Sequence, residues 1–209
     1  MPIEAGLVAL ATYFATIGPA DLAFIFAALT ARSSPAARRA TALRATLIGG
    51  GILLFFALFG ARVLEIFGIS LPALRTAGGI LLLLIAIDMV FARSSGGTST
   101  TSEENAEAAA RHDISVFPLA TPLIAGPGAI GATVLLIADA SGDQARVAMT
   151  IGALIAILLL TYVLLLLATQ VQRVLGVTGL HVVSRVVGVL LAALAVQFIF
   201  DGLKTGLLA

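Results

Sequence analysis

Residues 117–133 read FPLATPLIAGPGAIGAT, an apolar run that carries three prolines and three glycines. A membrane helix broken here frees backbone N–H and C=O groups that lipid cannot satisfy, so the break must face protein or a water-lined cavity. At its centre stands Ala125-Gly126-Pro127-Gly128. Gly126 lets the chain turn and approach closely, while Pro127, with φ preset and no N–H, suits the first position of a new half-helix. That half-helix would begin in mid-membrane, with unpaired amides and the positive end of its dipole facing whatever the cavity holds. Ile17-Gly18-Pro19 interrupts the run from Ala5 to Ala31 in the same way, 108 residues before Ala125-Gly126-Pro127.

The rest of the chain fits this reading. Of 209 residues, 60% are hydrophobic and only 11% charged, with a mean hydropathy of +1.12, against about 25% charged residues in soluble domains. An all-α integral membrane protein is expected, with the lipid bilayer as its surroundings. A net charge of +1 and the lack of a basic cluster with interleaved aromatics give no sign of a nucleic-acid partner. With no cysteine, disulfides and thiolate-held metals are excluded. The opening MPIEAGL has neither a basic n-region nor a small-residue cleavage site, so a retained first span is expected, not a signal peptide.

Apolar runs bounded by charge predict six spans, near 5–31, 45–64, 72–92, 114–138, 147–169 and 182–203. Ser94 to His112 is polar, its first half rich in Ser, Thr and Gly, and reads as a linker between a first repeat, 1–93, and a second, 113–209. Within it, Ser102 to Arg111 could form a short helix. Arg32, Arg38, Arg39 and Arg44 crowd the first connection, which the positive-inside rule assigns to the cytoplasm. Counting on from there, Arg93, Arg111, Arg173 and Arg185 also fall inside, while Arg62, Arg75, Arg146 and Lys204 fall outside. Both termini are then expected on the outer side.

A second match supports duplication. Arg75-Thr76-Ala77-Gly78, opening span three, resembles Arg185-Val186-Val187-Gly188, opening span six, at an offset of 110. Each half holds three spans, an odd number, so the second half must lie upside down relative to the first. Inverted repeats whose first helices are broken near the midplane are a secondary-transporter architecture. Two half-helix N-termini brought together there favour a carboxylate, although proline and glycine also merely kink membrane helices.

Several polar residues could serve such a site. Asp21, two residues after Pro19, falls in the first turn of its half-helix, where it could offset the dipole or bind a substrate ammonium or a coupling cation. Thr121 flanks the second break, and Thr12 and Thr133 lie near the two; each could bond back to its own helix. Gln197 is a neutral polar group within span six, suited to an interhelical hydrogen bond or to lining the site. Arg185 with Asp88 and Arg75 with Asp201 give one candidate ion pair per membrane face. Such pairs could act as alternating gates, or all four residues could anchor helix ends at the interface. No Walker A sequence, zinc-ligand spacing or Gly-x-Ser-x-Gly occurs, so neither ATP coupling nor enzymatic activity is expected, and no cofactor or metal is implied.

The segments ISLPALRTAGGILLLLIAIDM (69–89), FPLATPLIAGPGAI (117–130) and SRVVGVLLAALAVQFIFDGL (184–203) together resemble the MarC family of bacterial inner-membrane proteins. The resemblance covers nearly the whole chain outside the linker. It implies six helices, periplasmic termini and kinship with the amino-acid exporter superfamily that includes the lysine exporters. It further implies transport of small neutral amino acids. A secondary transporter of this kind is expected to take H+ or Na+ as a possible coupling ion. The chain departs from the family at the first break. Where the family carries Asn-Pro or Asp-Pro followed two residues later by Gly, here Gly18-Pro19-Ala20-Asp21 moves the polar group by three residues, about one helical turn. From the residues themselves, the expected substrate set is Gly18, Pro19, Asp21, Thr121, Gly126, Pro127, Gly128 and Gln197. A cation or metal-ion transporter using Asp21 and Asp88 is the alternative.

Overall fold

The computed structural model describes residues 2–30, 33–91 and 114–207. The polar linker and the short helix expected within it lie outside the described residues. Those that are described form helices with short connections and no strand: α1 (Pro2–Ile17), α2 (Pro19–Leu29), α3 (Pro35–Ile66), α4 (Leu71–Phe91), α5 (Ser115–Ile124), α6 (Pro127–Ala140), α7 (Gln144–Leu166) and α8 (Ala168–Leu207). By length and composition α1 with α2, α3, α4, α7 and the later part of α8 can each cross a membrane, and the bent pair α5 with α6 makes a sixth span. Large apolar side chains such as Leu47, Leu58, Leu159 and Leu190 stand exposed, as expected of helices whose solvent is lipid.

Two helices run well beyond the apolar windows that predicted them. α3 begins at Pro35, ten residues before the expected start at 45, because Ser34 caps it: its Oγ accepts the Ala37 amide at 3.2 Å, and Pro35 takes the first helical position. The helix therefore carries Arg38, Arg39 and Arg44 on its own first turns. α8 likewise starts at Ala168, not near 182, and bends at Gly176, whose φ of 57° suits glycine. Backbone hydrogen bonding continues where hydrophobicity stops, so charge marks the edge of the bilayer and not the end of the helix.

With no hydrophobic drive between helices in lipid, close approach of small residues holds them together. α4 and α8 form the most intimate pair. A Cβ on Gly79 would lie 2.7 Å from the Ala195 carbonyl oxygen and one on Gly188 2.9 Å from Met89 Cβ, while one on Gly202 would strike Thr76. As position rises along α4 its partner falls along α8, so the two run antiparallel. Elsewhere α1 packs on α6 and α7, α2 on α5, α7 and α8, α3 on α5, α6 and α7, and α4 on α6.

Candidate functional site

Both expected interruptions are present, but they differ in shape. At the first, Gly18 adopts φ 60° and ψ 58°, the left-handed region, and serves as N-cap to α2 with Pro19 at the first helical position. The hydrogen-bond ladder passes from Gly18 N–H to the Phe14 carbonyl (3.1 Å) and from Leu22 N–H to the Gly18 carbonyl (2.9 Å). Between them Pro19 has no N–H, and the amides of Ala20 and Asp21 find no acceptor among the described residues. α1 and α2 still pass as one span, Pro2–Leu29.

Asp21, at the third helical position, curls its carboxylate back over the break, one oxygen lying 3.4 Å from where a Gly18 Cβ would stand. Ser184 of α8 donates its hydroxyl to the same carboxylate, 3.0 Å from Oδ1 and 3.2 Å from Oδ2. A small cleft beside this pair is walled by Phe14, Met89, Val183 and Val187.

The second interruption is a wide bend, 52° between α5 and α6. α5 is irregular: Phe117 and Thr121 take extended angles immediately before Pro118 and Pro122, as proline's ring demands of the preceding residue. Its bonds span five residues, from Leu119 N–H to the Ile114 carbonyl and from Ala125 N–H to the Ala120 carbonyl. The Thr121 hydroxyl donates back to the Val116 carbonyl at 3.2 Å. Gly126 is the extended N-cap of α6, with φ −78° and ψ 167°, and Pro127 opens the helix. The amides of Gly128 and Ala129 again have no acceptor among the described residues. Both residues are buried, with the Ile85 side chain of α4 pressed against Gly128.

Near the breaks lies an orphaned polar atom. Tyr13 on α1 is wholly buried and its hydroxyl has no hydrogen-bond partner among the described residues, although it faces Thr133 of α6. The Thr133 hydroxyl is spent on the Ala129 carbonyl at 2.7 Å, and that of Thr12 on the Val8 carbonyl at 2.8 Å. Buried polar groups rarely go unpaired, so this stretch of α1 and α6 has unused hydrogen-bonding capacity.

The remaining expected residues lie elsewhere. Gln197 lines a cavity of about 350 Å³ at the end of the bundle marked by Glu4, Asp139, Arg146 and Asp201, and donates to Asp201 Oδ1 at 3.0 Å. The expected pair of Arg75 with Asp201 does not form. Arg75 instead bonds Asp139, which also accepts from Arg146 at 3.1 Å, so a single carboxylate at the end of α6 ties α4 to α7. The physical reason is position: Asp201 is exposed and served within its own helix by Gln197, whereas Asp139 stands between the two arginines. Asp88 is half-buried and Arg185 exposed, and no ion pair joins them.

Two residues, Ser184 and Asp139, enter the picture only through the structure. Nothing local distinguishes Ser184 in its apolar run, and Asp139 lies just past the span expected at 114–138. A search for carboxylates or hydroxyls one helix face away from the breaks would have picked out Ser184 alone among the polar residues of 182–192 other than Arg185. No cluster of three or more potential metal ligands occurs among the described residues.

Helices long and apolar enough to span a bilayer, two of them interrupted at glycine–proline steps whose amides find no acceptor among the described residues, define an integral membrane protein with polar groups held inside its helix bundle. The chain belongs to the MarC family: the model of the MarC family integral membrane proteins matches residues 4–207. It is 38% identical to a UPF0056 membrane protein of Methanocaldococcus jannaschii over the full length of both chains. It is 37% identical to the UPF0056 membrane protein YhcE of Escherichia coli K12, covering 91% of this chain and 88% of the relative. Identity is also 37% to the UPF0056 membrane protein YvbG of Bacillus subtilis 168, over 91% and 90% of the two chains. No solved structure matches the chain at a significant level.

Proposed function

We propose that the protein is a secondary transporter that exports small neutral amino acids, or similar small zwitterions, across the bacterial inner membrane, with both termini periplasmic. The observation that carries this reading is the pair of amide-bearing helix ends, Ala20-Asp21 and Gly128-Ala129, each left without acceptors among the described residues within apolar spans. Such ends suit a carboxylate, at about 0.3–2 kcal/mol per terminus, and Asp21 beside the first end suits the ammonium group. Binding on this scale orients the substrate more than it selects it. H+ or Na+ is the coupling ion of this reading.

The packing supports two inverted repeats. Exchanging α1 with α5, α2 with α6, α3 with α7 and α4 with α8 maps most helix contacts onto one another. α1 on α7 becomes α5 on α3, α2 on α8 becomes α6 on α4, α2 on α7 becomes α6 on α3, and α1 on α6 becomes α5 on α2. On the axis of such an exchange, Gly50 meets Leu158, its own equivalent at the 108-residue offset. The antiparallel course of α4 and α8 is what inversion requires. Arg38 and Arg146 are likewise equivalent at 108, and each lines one of two cavities of about 350 Å³, at opposite ends of the α1–α2 span.

The test is counterflow in proteoliposomes loaded with unlabelled glycine or alanine. Saturable uptake of the labelled amino acid is expected, and a Gly128→Val variant that retains its fold should lose at least tenfold. Absence of exchange for every small neutral amino acid would refute the reading.

A further inference from the structure

The cavity at the end of the bundle opposite Gln197 has a different chemistry from its counterpart. It lies where α2 ends, α3 begins and α7 passes into α8, and has a volume of about 350 Å³. Arg38 and Arg39 of α3 and Arg173 of α8 line it, and no carboxylate is found among its described lining residues. The Arg38 guanidinium is held in place: Nε donates to the Thr30 carbonyl at 3.0 Å and Nη1 to Thr169 Oγ1 at 3.3 Å. Arg39 and Arg173 make no ion pair among the described residues. Phe26, Leu165 and Leu166 give the cavity an apolar part of its lining.

We propose that this cavity binds a phosphate group, carried either by the headgroup of an anionic phospholipid or by free inorganic phosphate. Three arginines line one space, and the planar fork of arginine matches phosphate oxygens in pairs. Basic pockets between helices on the face that the arginine distribution assigns to the cytoplasm are sites for anionic headgroups. The apolar part of the lining suits the first carbons of the lipid chains, which favours a lipid over a soluble anion. Arg38 is the fixed element, and Arg39 and Arg173, both exposed, supply charge that no described carboxylate pairs. The reading is independent of what the protein transports.

The experiment compares melting of the purified full chain in an uncharged detergent with added phosphatidylglycerol, with phosphatidylcholine, and with inorganic phosphate against chloride at matched ionic strength. Phosphatidylglycerol is expected to raise the midpoint by roughly 3–5 °C at ten times its dissociation constant, with no rise for phosphatidylcholine. A rise with phosphate equal to that with phosphatidylglycerol assigns the site to the soluble anion; a rise with phosphatidylglycerol alone assigns it to lipid. Arg39→Gln with Arg173→Gln should remove at least half of the effect, while Arg62→Gln, at the other end of α3, should leave it whole. Should the double variant fail to fold, the single Arg39→Gln variant is read in the same way. Equal responses to phosphatidylglycerol and phosphatidylcholine without a phosphate effect, or an undiminished response in the folded cavity variants, would overturn the proposal.

Discussion

The α4–α8 contact makes a quantitative prediction at Gly79. A methyl group there would sit 2.7 Å from the Ala195 carbonyl oxygen, 2.7 Å from Ile199 Cγ1 and 3.0 Å from the Ile199 amide nitrogen. Ordinary contact begins near 3.4 Å, so the helices must part locally by about 0.7 Å (3.4 − 2.7). Two of the three obstructing atoms are backbone and cannot rotate aside. Overpacking of this kind costs about 1–3 kcal/mol, which for a chain of this size corresponds to a fall of roughly 2–12 °C in the melting midpoint. Gly51→Ala is the matched control, since nothing lies within 4 Å of its added methyl, and it should keep or slightly raise the midpoint, as alanine is the better helix former by about 0.5–1 kcal/mol. The assay is far-UV circular dichroism melting in detergent, with size-exclusion chromatography to confirm a folded monodisperse species. If Gly79→Ala melts with Gly51→Ala at or above the parent protein, the two helices do not touch through their backbones and the reasoning fails.

Two further outcomes follow from the site geometry. Arg75→Gln and Asp139→Asn should each lower the melting midpoint and the double variant should fall little further, giving a double-mutant coupling of about 0.5–1 kcal/mol for this partly exposed pair; an additive double variant would mean that the pair contributes nothing. Ser184→Ala removes the hydroxyl that serves Asp21, a bond to a charged group worth about 1.5–3 kcal/mol. It should destabilise the chain in detergent melts, an effect largely absent in the Asp21→Ala background, which has no acceptor left; equal losses in both backgrounds would show that the two residues act separately.

Much of the architecture was legible because lipid punishes irregular backbone. Gly18-Pro19 and Gly126-Pro127 could be read as interruptions without coordinates, since a proline in an apolar run removes a donor that nothing else in lipid replaces. The difference between them was not legible: Gly18 turns through a left-handed angle within what still passes as one span, whereas Pro118 and Pro122 ahead of the second break add the irregular winding of α5. Helix ends were misjudged at α3 and α8, where capping by Ser34 and a turn at Gly176 let helices carry charge past the membrane edge. Side-chain partners proved hardest. Arg75 had several carboxylates within plausible reach, and choosing Asp139 over Asp201 depends on how α6 is rotated, a property that hydropathy does not encode.

The unlike shapes of the two breaks have a consequence for motion. If the halves are related by the exchange described above, one amino-acid plan is here drawn twice in different poses, an α1–α2 that passes as one span and an α5–α6 elbow of 52°. Trading poses would bend the first and straighten the second. The two cavities at opposite ends of the α1–α2 span would then change shape together, one as the other, reusing contacts each half already makes.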